Sequence, residues 1–284
     1  MSENSAENEI KSGDRFAFGE NWSDFLRSLN EERIGEAEKD LKMNLERENL
    51  NGKRFLDIGS GSGIHSLAAM RLGAEVVSFD YDTKSVACAL ELKRRYFADD
   101  DRWRITEGNA LDAEFLASLG TFDIVYSWGV LHHTGDMYKA LALVAPLVAG
   151  GGGQKSGENG KLFLSIYNDQ GIKSKIWRVV KRAYVKSPAP IKKLMIALAL
   201  AGFWCPIILL DFLRLKPFER WKNYVKSRGM SPYYDVVDWI GGYPFEVAKP
   251  EEIFYFFRDR GFVLRRLFTC AGKMGCNQFV FDKP

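Results

Sequence analysis

The chain has 284 residues, 46% of them hydrophobic and 27% charged, enough apolar material for a full core and too much for bulk disorder. Its four cysteines (Cys88, Cys205, Cys270, Cys276) are scattered and form no Cys-x-x-Cys pair, which argues against a disulfide scaffold or a cysteine metal site and suits a reduced, cytoplasmic setting. A net charge of +3 conceals a segregation, because residues 168–229 carry 14 Lys and Arg against 3 Asp and Glu while the rest of the chain is acidic.

In chain order, residues 1–15 are polar and acidic, with neither the basic start nor the apolar run of a secretory leader, and read as a disordered tail. Residues 16–50 read as an N-terminal helical cap, with a helix over 22–48 that places Phe25, Leu26, Leu29 and Ile34 among charges. An alternation follows: strand 54–58, helix 63–72, strand 75–79, helix 83–97, strand 103–106, helix 113–119, strand 122–127, helix 136–148 and strand 161–167. Strands and helices alternating at these lengths predict a doubly wound α/β core over 51–167, with a parallel sheet covered on both faces. Residues 150–160 are glycine-rich and predict a loop. Residues 168–245 interrupt the pattern, and a helix over 250–260 with strands 262–268 and 276–281 completes the core within 246–284.

The core opens with Phe-Leu-Asp-Ile-Gly-Ser-Gly-Ser-Gly at 55–63, and its second strand ends on Asp80. Strand, glycine turn, helix, strand and acid is the pattern of a nucleotide-type ligand at the carboxyl edge of a parallel sheet. The glycines follow G-x-G-x-G rather than the dinucleotide G-x-G-x-x-G, with Asp57 two residues before the first. This resembles motif I of the class I S-adenosylmethionine (SAM) methyltransferases. The resemblance implies a seven-stranded, mostly parallel sheet with an antiparallel last strand, SAM as cofactor and S-adenosylhomocysteine (SAH) as product. It implies that Gly59, Ser60, Gly61 and Gly63 face the amino-acid part of SAM, with Asp57 orienting the loop. Asp80 would take the ribose hydroxyls, and Tyr81, Asn109 and Ala110 would border the adenine. Where Asn109 stands the family often has aspartate.

After the fourth strand, Ser127-Trp128-Gly129-Val130-Leu131-His132-His133 resembles a segment of methyltransferases that act on quinones and other small molecules. Ser127 and Trp128 are expected where cofactor and acceptor meet. A base working near neutral pH would be histidine, so His133, with His132 beside it, is the candidate, and a structural role for the pair is the alternative. The chain lacks the Asn/Asp-Pro-Pro-Tyr of amino-methylating enzymes at this place, which favours an oxygen or carbon acceptor. Trp22, Tyr167 and Tyr243 lie in segments that mix aromatics with hydrogen-bonding groups, as an acceptor pocket requires. No metal-ligand spacing and no nucleophile elbow occur. Together these segments resemble a bacterial group related to ubiquinone-biosynthesis methyltransferases over residues 16–282, with specificity for fold and cofactor rather than substrate.

The insertion predicts a basic amphipathic helix over 172–186, with Ile176, Trp177, Val180 and Tyr184 on its apolar face. Residues 194–210 carry no charge and include Pro206. Seventeen residues is the lower limit for a membrane span, and the proline and Asp211 weigh against one. A helical lid over the acceptor, or contact of 172–215 with an anionic membrane surface, are the remaining readings. The expectation is a cytoplasmic SAM-dependent methyltransferase that modifies a small molecule at oxygen. One alternative attaches it peripherally to the inner membrane face for a quinone or lipid-linked acceptor, and another is a non-catalytic SAM-binding partner protein. A nucleic-acid substrate is disfavoured, since no recognised nucleic-acid module accompanies the basic insertion.

Overall fold

The computed structural model describes residues 5–19, 22, 26, 29–151, 158–228 and 232–284. Seven strands form one sheet: β1 (Arg54–Ile58), β2 (Glu75–Asp80), β3 (Trp103–Glu107), β4 (Ile124–Trp128), β5 (Gly160–Tyr167), β6 (Val263–Phe268) and β7 (Cys276–Lys283). Their order is β3-β2-β1-β4-β5-β7-β6, with β7 antiparallel to both neighbours and the first five strands parallel. This is the doubly wound, mostly parallel sheet expected from the sequence.

Helices on both faces explain why β1 and β4 are buried at consecutive positions rather than at alternate ones. Leu56, Ile58, Val125, Leu162 and Leu164 point into one core cluster. Phe55, Ile124, Tyr126, Phe163 and Val280 point into the other. The first face is closed by α5 (Ala113–Leu119), α6 (Met137–Val144) and α11 (Pro250–Arg258). The second is closed by α2 (Glu31–Leu45), α3 (Ile64–Arg71) and α4 (Thr83–Tyr96). Strand order reverses between β1 and β4, so the carboxyl ends of these two strands flank the crevice where such sheets bind ligands.

Two N-terminal expectations change. Helix α2 begins at Glu31, where the Asn30 side chain accepts the Arg33 amide, instead of running unbroken from residue 22. The expected tail contains a helix, α1 (Ser5–Ser12). It is held because its Glu9 carboxylate accepts hydrogen bonds from Arg15 and from the Tyr81 hydroxyl, contacts that no local pattern reveals. Residues 152–157, within the predicted glycine-rich loop, and Phe25, placed in the predicted first helix, lie outside the described residues.

The insertion is four helices: α7 (Ile172–Lys186), α8 (Ala189–Leu213), α9 (Glu219–Arg228) and α10 (Pro232–Gly241). They carry a small core of their own, formed by Tyr184, Val185, Ile196 and Ile240. The buried face of α7 differs from the expected one, because Ile176 is exposed while Lys181, Tyr184 and Val185 are buried. Trp177 still faces inward, stacked on Phe203 of α8 with ring centroids 5.9 Å apart.

Candidate active site

The glycine loop follows β1 at the crevice. Gly59, Gly61 and Gly63 all adopt positive φ, of 71°, 54° and 83°. A Cβ at Gly59 would lie 2.3 Å from Val130 Cγ1, and one at Gly61 would lie 2.9 Å from the Trp22 ring, so the loop has room only for backbone. Asp80 ties the loop down: its carboxylate accepts the Gly61 amide and the Asp82 amide, each at 2.9 Å. Burial raises its pKa to about 6, against the lowering effect of these amides. Asp57 sits beneath, 3% exposed, and accepts a 2.6 Å bond from the Ser66 hydroxyl at the start of α3. Burial lifts its pKa to about 7, and the neighbouring Asp80 charge adds to the rise.

These residues suit SAM. The loop is a cradle that a side chain would fill, the buried Ser60 hydroxyl has no partner among the described residues, and Asp80 has lone pairs beyond the two its amide bonds occupy. Tyr81 and Asp82 follow Asp80 at the same edge, and Asp82 also takes the Gly19 amide at 2.9 Å. The Asn109 side chain accepts the Leu111 amide at 2.8 Å, which shapes the turn after β3, and Ala110 beside it is buried. Ser127, buried, donates to the Ile58 carbonyl and so links β4 to β1. Trp128 is half exposed at the end of β4, with its ring 6.4 Å from that of His65.

A second group of residues gathers beyond β4 and β5. His132 and His133 form a turn of 3-10 helix and are both buried. His133 Nδ1 lies 2.6 Å from the Pro244 carbonyl, which makes Nδ1 the protonated nitrogen of a neutral ring. Burial pulls its pKa down to about 3, and that of His132 well below the ordinary value. His132 Nδ1 accepts the Tyr167 amide at 3.3 Å, and the two rings lie 4.0 Å apart. His132 Nε2 is buried without a hydrogen-bond partner among the described residues.

The insertion reaches into this group. Lys181, fully buried on α7, donates to the Trp239 carbonyl and sits 4.4 Å from the Trp239 ring, 4.8 Å from Phe245 and 5.9 Å from Tyr167. Desolvation lowers its pKa to about 7, with Asp238 opposing the shift. The Trp239 indole N–H is buried and has no hydrogen-bond partner among the described residues. From the N-terminus, Arg15 donates to the His133 carbonyl at 2.9 Å and Phe18 lies 5.0 Å from the His133 ring.

Of the expected acceptor residues, Tyr167 is at the centre of this group. Trp22 covers the glycine loop instead, and Tyr243 packs against the insertion's own core, its carbonyl accepting the Phe16 amide. Sequence reasoning passed over Lys181, Arg15, Trp239 and Phe245 as individual contacts. The one available signal was a lysine four residues after Trp177 and three before Tyr184, which puts a charge on the inward face of α7.

Comparison with known proteins bears on the fold and the domain. Residues 56–153 match the family model described as a methyltransferase domain. The ubiquinone biosynthesis O-methyltransferase of Rhizobium rhizogenes is 38% identical over 104 residues, covering 36% of this chain and 40% of that protein. The tRNA U34 carboxymethyltransferase of Photorhabdus laumondii is 36% identical over 84 residues, covering 30% of this chain and 25% of that protein. The chain therefore spans well under half the length of these curated relatives. Magnesium protoporphyrin IX methyltransferase from Synechocystis, solved with bound SAH, superposes with a TM-score of 0.50 at 16% identity, over 91% of this chain and 86% of that one, and supports the fold. Residues 56–153 thus carry a methyltransferase domain, similar in sequence to part of a ubiquinone biosynthesis O-methyltransferase and built on the fold of a SAH-bound methyltransferase.

Proposed function

We propose that the chain methylates a small-molecule acceptor at oxygen, in a pocket closed by the 168–245 insertion. The observation that carries this reading is Lys181: the insertion brings a buried amine, beside an indole N–H with no partner among the described residues, onto Tyr167 and the paired histidines. Val130, in the same segment as the histidines, touches the glycine loop at Gly59, so the two groups of residues adjoin. SAM supplies an electrophilic methyl group on a sulfonium. The protein's part is to align the acceptor, keep water out and accept the hydroxyl proton. A neutral amine in an apolar box can take that proton, and the resulting ammonium pairs with the developing oxyanion. His133, neutral and donating to Pro244, acts in this scheme by positioning the segment.

A second reading, methylation of a quinone or lipid-linked acceptor at a membrane, is favoured by the exposed apolar side of α8. Protein incubated with host extract and SAM bearing a labelled methyl group tests both. Label in a small-molecule fraction supports the proposal, and its appearance in the organic phase selects the second reading. Label confined to macromolecules, or no label from protein shown to bind SAM, contradicts both and points to a nucleic-acid or non-catalytic role.

A further inference from the structure

Helix α8 is apolar on both of its long sides. Its inner side packs on the insertion: Ile196 and Trp204 are buried, with Trp204 4.7 Å from the Trp221 ring and 5.0 Å from Tyr224. Its only acidic residue, Asp211, is also turned inward, where Arg220 pairs with it at 2.9 Å. The outer side presents Leu194, Leu198, Leu209 and Leu213, which are 59%, 65%, 62% and 73% exposed. Ala197, Ala201, Gly202, Cys205 and Pro206 fill the stripe between them and are exposed as well. At 1.5 Å per residue this face is roughly 30 Å long, and a solvent-facing helix would carry charges along it. An apolar stripe of this length, bordered by polar groups, marks a surface that is covered when the protein works.

Charge identifies what covers it. Lys192 and Lys193 stand at one end of the stripe and Arg214 and Lys216 at the other, within a segment of 14 basic and 3 acidic residues. A second copy of the chain would bring the same excess of positive charge to the contact, whereas an anionic bilayer surface complements it. The packed inner side selects the depth. Trp204 and the Asp211–Arg220 pair hold α8 to the protein, so it lies along the surface rather than crossing the membrane.

We propose that the outer face of α8 docks the protein on an anionic phospholipid surface, with its leucines at the acyl boundary and the flanking lysines and arginines among the headgroups. The inference does not depend on methyl transfer, because docking is measured without SAM or acceptor. The test is flotation of the full chain with vesicles of phosphatidylglycerol and phosphatidylcholine, compared with phosphatidylcholine alone. Partition onto the anionic vesicles is expected to be at least tenfold stronger, to weaken with salt, and to fall at least tenfold in Leu198→Glu/Leu209→Glu. Both positions face outward, and SAM binding by the double variant shows that it is folded. A separate variant, Lys192→Glu/Lys193→Glu, is expected to reduce partition while leaving the leucines intact. No partition of the wild type, or partition that the leucine variant retains, overturns the proposal. Self-association that the leucine variant abolishes, without vesicle binding, also overturns it, in favour of a second copy.

Discussion

The Asp80 carboxylate at the end of β2 accepts the amide of Gly61 at 2.9 Å, across 19 residues of chain. One acid thus holds the shape of the glycine loop while keeping lone pairs for a ligand. The bond explains how G-x-G-x-G and an acid after the next strand work as one device: the loop needs positive φ to turn its amide toward the acid, and glycine provides it.

Gly59→Ala tests that device on stability. The added methyl would meet Val130 at a backbone angle that L residues rarely adopt. Strain of this kind costs about 1–3 kcal/mol before the collision is counted. Urea unfolding should show at least that loss, together with lost SAM binding. A variant as stable as wild type contradicts the loop geometry.

Cofactor affinity should depend on pH. Without ligand, burial holds Asp80 near pKa 6 and Asp57 near 7, so both are partly protonated at mildly acidic pH. A ligand that donates hydroxyls to the ionised carboxylate lowers the Asp80 pKa and releases a proton. SAM affinity should therefore rise as pH increases from about 5 to about 7, and calorimetry in buffers of different ionisation heat should detect the release. A flat profile would exclude Asp80 from ligand binding.

His133 separates base from positioner. With a pKa near 3 and Nδ1 donating to Pro244, it is neutral at every physiological pH. His133→Asn should keep a donor near that carbonyl and retain most turnover, while His133→Ala should lose more. No increase in turnover with pH near neutrality should trace to this residue. If both variants lose turnover equally with SAM affinity intact, His133 is the base.

Lys181 makes its own contribution to stability against pH. In the unfolded chain its proton leaves near 10.5, and in the folded protein near 7. Between these values the unfolded state holds more protons, so stability from this group rises with pH from about 7 to about 10.5, while below 7 the full cost of burying the charge is present. The effect is on the order of 1.4 kcal/mol for each pKa unit separating the two states. Lys181→Met should remove that slope between pH 7 and 9.5 in urea titrations and lower kcat without changing SAM affinity. An unchanged slope would mean that the amine is hydrated in the folded protein.

The sheet was legible because short β-rich segments alternate with helical ones at regular spacing, and the cofactor loop because its chemistry is local: three glycines and two acids within 24 residues of chain. The acceptor side was not. Lys181, Trp239 and Tyr167 are far apart in the chain and meet only because α7 and α10 pack on each other beside the last residue of β5, an arrangement set by tertiary contact. The N-terminal strap was missed for the same reason, since Glu9 and Arg15 gain their meaning from Tyr81 and His133.

The most direct measurement is calorimetric titration of SAM into the purified chain and into Asp80→Ala. The account predicts one site per chain in the wild type and an affinity weaker by about 1.5–3 kcal/mol in the variant, the range for losing a charge-assisted hydrogen bond. No binding to the wild type, or equal affinity in both proteins, would contradict the assignment of the glycine loop and Asp80 as the cofactor site.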